Sequence, residues 1–137
     1  MNKWLLTAGL VLMTTWLGGC IVIDTEKDES WRSSVVEPAD VTMREIDTVG
    51  QLSLEDNRRE AYARIARRHN LSADAQVHLI EAVFEHLSLE DAKMSVLLTL
   101  VHNRCFRSEA KGALLDRLDG LALEDSRREI LDAMSKK

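Results

Sequence analysis

The second half of the chain repeats one hydrophobic and polar pattern. Leu52-Ser53-Leu54-Glu55-Asp56 returns as Leu87-Ser88-Leu89-Glu90-Asp91 and again as Leu121-Ala122-Leu123-Glu124-Asp125, at intervals of 35 and 34 residues. The match runs on downstream: Ala61, Val96 and Ile130 align, as do Tyr62, Leu97 and Leu131, then Ile65, Leu100 and Met134. Second halves align too, pairing Leu71 with Phe106, Ala75 with Ala110, Leu79 with Leu114, Ile80 with Leu115 and Val83 with Leu118, with one deletion opposite His86. A period of this length marks stacked helix-turn-helix units. The spacing predicts an all-α fold of five helices over residues 54–69, 73–86, 89–104, 109–119 and 123–134. Val96, Leu97, Leu100 and Val101, with Leu98 adding a further side, make the third of these the most buried.

Local chemistry supports the predicted boundaries. Ser53 and Ser88 are placed to cap helix starts, with Glu55, Asp56, Glu90 and Asp91 facing the positive end of the helix dipole. Ala122 removes that hydroxyl from the third copy, a loss of about 1 kcal/mol. Asn70, Ser72, Ser108 and Gly120 supply turn and cap chemistry between helices. The third copy stops after one helix whose Arg127, Arg128, Glu129, Asp132 and Lys136 form a charged outer face, as a terminal capping repeat would. The period resembles that of tetratricopeptide repeats without that family's Trp, Gly, Tyr and Pro markers, so the resemblance implies architecture alone. The Leu-Ser-x-Glu-Asp-x-Arg pattern also loosely resembles small helical domains of unknown function in bacterial exported proteins, which implies no activity.

The first twenty residues follow a different pattern. One positive charge at Lys3 precedes the mainly apolar run Trp4 to Trp16, too short to span a bilayer comfortably and suited to a signal-peptide core. Leu17-Gly18-Gly19-Cys20 follows and resembles the lipobox of bacterial lipoproteins, departing from the commonest pattern at Gly18. The resemblance implies removal of a signal peptide, residues 1–19, by cleavage between Gly19 and Cys20. It also implies diacylglycerol on the Cys20 sulfur and usually an acyl chain on the new amino group. Several chains on one residue satisfy the condition for stable anchoring. Ile21, in place of the aspartate that resembles an inner-membrane retention signal, points to an outer-membrane anchor facing the periplasm.

Charge separates the segment between. The 137-residue chain has 18 basic and 23 acidic side chains, net -5. Residues 21–50 carry eight acids against three bases, the only proline, Pro38, and the pair Ser33-Ser34, whereas residues 51–137 are nearly neutral. Residues 20–50 therefore read as the lipidated cysteine and an acidic, self-repelling tether with an end-to-end distance on the order of 30 Å. The segment Asp40 to Val49, with Val41, Ile46 and Val49, allows a helical turn or two packing onto the domain. The repeat domain then spans 51–137.

Candidate chemistry is sparse. Arg58, Arg59, Arg64, Arg67 and Arg68 crowd the first repeat helix and form a candidate contact for an anionic surface, offset by favourable pairs such as Glu55 with Arg59 and Glu60 with Arg64. Export argues against nucleic acid as a partner. His78, Glu81, Glu85 and His86 share one broad side of the second helix, but their spacing is not that of a metal site, and no cofactor is expected. No nucleophile elbow, phosphate loop or calcium loop occurs, so an enzyme is not expected. With Cys20 assigned to lipid, Cys105 has no intramolecular partner and reads as a small buried residue. The function expected is a membrane-anchored interaction or scaffold module of the cell envelope that holds a protein partner or associates with itself. The alternatives are a structural component contacting lipid or cell wall and, behind it, a small metal-dependent hydrolase.

Overall fold

The computed structural model describes residues 39–137. The expected signal peptide, with Gly19 and Cys20, and the first part of the expected tether lie outside the described residues. Those described form six α-helices and no strand: α1 (Ala39–Gly50), α2 (Glu55–Ala66), α3 (Ala73–His86), α4 (Glu90–His102), α5 (Ser108–Arg117) and α6 (Glu124–Ser135), with a short 3-10 turn at Leu118–Gly120 between the last two. None of these helices is long and apolar enough to cross a membrane.

The helices alternate between two layers. In one, α1 packs on α3 and α3 on α5; in the other, α2 packs on α4 and α4 on α6. Each repeat thus contributes one helix to each layer, and the core lies between them. On α4, Val96, Leu97, Leu100 and Val101 are fully buried, as their spacing predicts. Tyr62, Leu79, Ile80, Leu114, Leu121 and Ile130 complete the centre of the core.

The helix α1 moves the boundary of the fold. Thr42, Ile46 and Val49, four and then three residues apart, share one helical face, and that face is buried in the stack. They stand 34 residues before Gln76, Ile80 and Val83, buried residues of α3. The stack therefore includes residues 39–50, and the described residues hold six helices rather than five. Two of the acids that make this segment read as a tether, Glu45 and Asp47, are paired. Arg68 donates to both Glu45 oxygens at 2.7 Å, and Asp47 lies 2.7 Å from His78 Nε2. Charge that repels along an extended chain finds partners once helix formation sets it against the repeats.

The helix starts differ from the expected serine caps. Leu54, Leu89 and Leu123 hold the capping position with extended backbone and make no side-chain cap. The caps come from the preceding repeat instead. Glu55 Oε1 accepts from Ser88 N–H at 2.8 Å and Leu89 N–H at 2.7 Å, and the Glu90 carboxylate accepts from Ala122 N–H at 2.8 Å and Leu123 N–H at 2.9 Å. Because the donor is backbone, alanine at 122 serves as well as serine. Ser72 alone among the expected serines is a true N-cap, its Oγ accepting from Ala75 N–H at 3.1 Å. Ser108 is the first residue of α5 rather than its cap.

A second periodic tie points backwards. Position 68 bonds Glu45; 35 residues on, Asn103 Nδ2 donates to the Ala66 and Arg68 carbonyls at 2.7 and 2.8 Å; 34 further, Lys137 Nζ donates to the Asn103 carbonyl. Buried Gln76 closes the turns, donating to the Leu71 and Cys105 carbonyls and accepting from Arg107 N–H. Gly120 sits close under Phe84: a Cβ there would lie 3.0 Å from the ring, so a larger residue would need that ring to give way by a few tenths of an ångström. Lys93 in turn sits 5.6 Å from the centroid of that ring.

Candidate functional site

The layer formed by α2, α4 and α6 carries an open trough on its outer side. One depression of about 590 Å³ is lined by Arg67, His69, Leu98, Thr99, His102, Asn103 and Arg104. A second of about 320 Å³ is lined by Leu98, His102, Asp125, Arg128, Glu129, Asp132, Ala133 and Lys136. Leu98 and His102 belong to both, so the two run together over α4.

Helix geometry produces the trough. Leu98 lies one position beyond the buried pair Val96 and Leu97 and is turned off the core by about 100° from its neighbour, leaving it half-buried at the base. His102 stands one turn further on, exposed. Arg67 and His69 come from the end of α2 and the turn after it, and Arg104 from the turn after α4, which makes that end basic. On α6 and at its C-cap, Asp125, Glu129 and Asp132 stand among Arg128 and Lys136, so the other end is mixed with a small acidic excess. Arg128 is half engaged by Glu124, at 3.4 Å. Of the charged residues expected on the outer face, Arg128, Glu129, Asp132 and Lys136 line this recess, Arg127 donates to the Leu121 carbonyl, and Leu131 on the same helix is 45% exposed.

The five arginines singled out by sequence do not share one face, since steps of about 100° carry them around the helix. Arg67 enters the trough. Arg68 is bound to Glu45, and Arg59 lies 3.7 Å from Asp56. Arg64 is exposed. Arg58 points inward, its Nε buried without a hydrogen-bond partner among the described residues, as is the Tyr62 hydroxyl. Burial pushes the Tyr62 phenol up to about 12, against the opposing pull of the Arg58 charge.

The acid and histidine set on α3 disperses to separate partners. His78 meets Asp47, Glu81 lies 3.5 Å from Arg117, and the His86 ring packs over Gly50, where a Cβ would come within 2.7 Å of it. No group of three or more His, Cys, Asp or Glu that would hold a metal occurs among the described residues. Cys105 is free and half-buried, its backbone held by Asn103 and Gln76. Arg104 is invisible as a site residue in the sequence because it sits at a turn with no periodic counterpart of the same charge; Leu98 is visible there as an apolar residue off the main stripe.

Comparison with protein-family models, with curated proteins and with solved structures finds no match to this chain.

Proposed function

We propose that the chain is a lipid-anchored protein of the bacterial cell envelope whose helical stack holds a protein partner. The observation that carries the binding part is the trough over α4. An apolar floor at Leu98, set between a basic and a slightly acidic end, suits an extended or helical segment that brings one apolar side chain flanked by opposite charges. Such a seat gives orientation as well as contact, because reversing the segment sets like charges together. The anchor rests on the lipobox resemblance at Leu17 to Cys20. Outer-membrane attachment facing the periplasm follows from Ile21 on the same resemblance. Catalysis and cofactor binding have no part in this proposal.

The two halves have separate tests. Mass spectrometry of the mature amino terminus is expected to find an acylated Cys20, and Cys20→Ser is expected to keep its signal peptide; normal processing of that variant refutes the anchor. For binding, a photoreactive residue replacing His102 in the full-length chain in cells is expected to give one defined protein adduct, with none from the same residue at Asp74 on the other layer. Equal labelling from both positions, or adducts with lipid only, refutes a protein-binding trough.

A further inference from the structure

Among the described residues the stack starts and stops in the middle of a repeat. Among the described residues α1 is a second helix with no first before it, since Thr42, Ile46 and Val49 stand 34 residues before Gln76, Ile80 and Val83. At the other end α6 is a first helix with no second after it among the described residues. Each end consequently exposes apolar positions that are covered inside the stack. Ile46 and Ile80 are 0% exposed, while their successor Leu115 is 44% exposed; Tyr62 and Leu97 are 0% exposed, while their successor Leu131 is 45% exposed. At the leading end the order reverses: Val41 is 47% exposed where Ala75 and Ala110 are buried.

The polar tie is split in the same way. Glu55 and Glu90 each receive two backbone N–H groups from the following repeat, whereas Glu124, among the described residues, receives no such pair and meets Arg128 of its own helix. Conversely, the Ser53 and Leu54 N–H groups, which stand where Ser88 with Leu89 and Ala122 with Leu123 stand, have no preceding repeat among the described residues to supply a carboxylate.

We infer that the chain associates head to tail with a second copy of itself, the partner's α1 and α2 continuing the stack beyond α5 and α6. In this arrangement α1 of the next copy supplies the second helix that the third repeat lacks among the described residues. Leu115 and Leu131 are covered as Ile80 and Leu97 are, and the Glu124 carboxylate accepts from the next copy's Ser53 and Leu54 N–H groups. The joint repeats one the chain already makes twice within itself, so its geometry is set by the fold. A second copy is the occupant because it carries both missing parts in register: a second-half helix and an uncapped Ser-Leu start. Being heterologous, the contact leaves one free head and one free tail after each addition, and so yields chains or rings rather than closed dimers.

The test uses full-length chain in detergent, with micelles in excess over protein, and sedimentation across a concentration series. Leu131→Asp blocks the tail and Val41→Asp blocks the head; both sites are exposed, and helical circular dichroism verifies folding. Leu115→Asp is a second tail block. The wild type is expected to grow past a dimer with concentration, and each single variant to remain monomeric. A mixture of the head-blocked and tail-blocked variants is expected to form a dimer and stop there, since the pair keeps one good tail and one good head. Glu124→Gln is expected to weaken assembly by roughly tenfold, about 1.4 kcal/mol. A wild type monomeric throughout, a head-blocked variant that assembles like the wild type, or a mixture that stays monomeric overturns the inference. These outcomes are independent of adducts at position 102, which read the trough.

Discussion

Glu55 and Ser88 lie 33 residues apart in sequence and are joined by a 2.8 Å hydrogen bond, carboxylate to backbone N–H. The same glutamate oxygen also takes the Leu89 N–H, so one side chain of each repeat caps the opening helix of the next. A capping acid drawn from the neighbour makes stacking and helix initiation one event. Glu55→Ala is expected to destabilise the fold by about 1 kcal/mol, whereas Ser88→Ala is expected to stay within about 0.5 kcal/mol of wild type. Urea unfolding of the two variants checks this, and the reverse order would restore the serine as the cap.

Glu90 predicts the acid limb of the stability curve. The Leu123 N–H first, then the Ser126 side chain and the Ala122 N–H, hold its carboxyl below the ordinary carboxylate value. A depressed folded-state pKa gives stability that is present above the unfolded-state value and lost as pH falls through the folded-state one. Glu90→Gln is expected to flatten the fall in melting temperature below about pH 4.5. An acid limb of unchanged slope in that variant would remove this residue from the account.

Ile46 distinguishes a folded first helix from a tether. It is fully buried on α1, and truncation to alanine leaves a cavity among α1, α2 and α3 as well as losing transfer energy. Ile46→Ala is expected to cost about 3 kcal/mol in urea unfolding. A loss under about 0.5 kcal/mol is what a solvated linker gives and would put the start of the fold back at residue 51.

Tyr62 is the single tyrosine of the chain, so the phenolate absorbance of the whole protein reports on it alone. It is expected to ionise near 12 in the folded chain and near 10 in denaturant. Since the folded value is the higher, the associated stability is intact below pH 10 and disappears as pH rises towards 12. The hydroxyl is buried without a partner among the described residues, so Tyr62→Phe is expected to match or slightly exceed the wild type in melting temperature at neutral pH. A clear loss of stability would reveal a hydrogen bond to the hydroxyl.

Repetition at 34 to 35 residues makes the helices of residues 55–135 legible in the sequence, because a periodic apolar stripe and a periodic turn each leave a mark in the order of residue types. The burial of α4 follows from the same spacing at Val96, Leu97, Leu100 and Val101. The first helix is only faintly legible. Its three buried residues carry a short signal, and Glu45 and Asp47 read as solvent-loving until Arg68 and His78 meet them across the stack.

What the order of residues settles alone is local: helical periodicity and turn positions. The pairings are set by assembly in space. Which acid caps which helix, which arginine faces the trough and which leucine is left bare at an end depend on contacts between neighbouring repeats. Those contacts exist only after two layers stack, because a side chain's partner across the stack is determined by relative placement of helices and not by its neighbours along the chain.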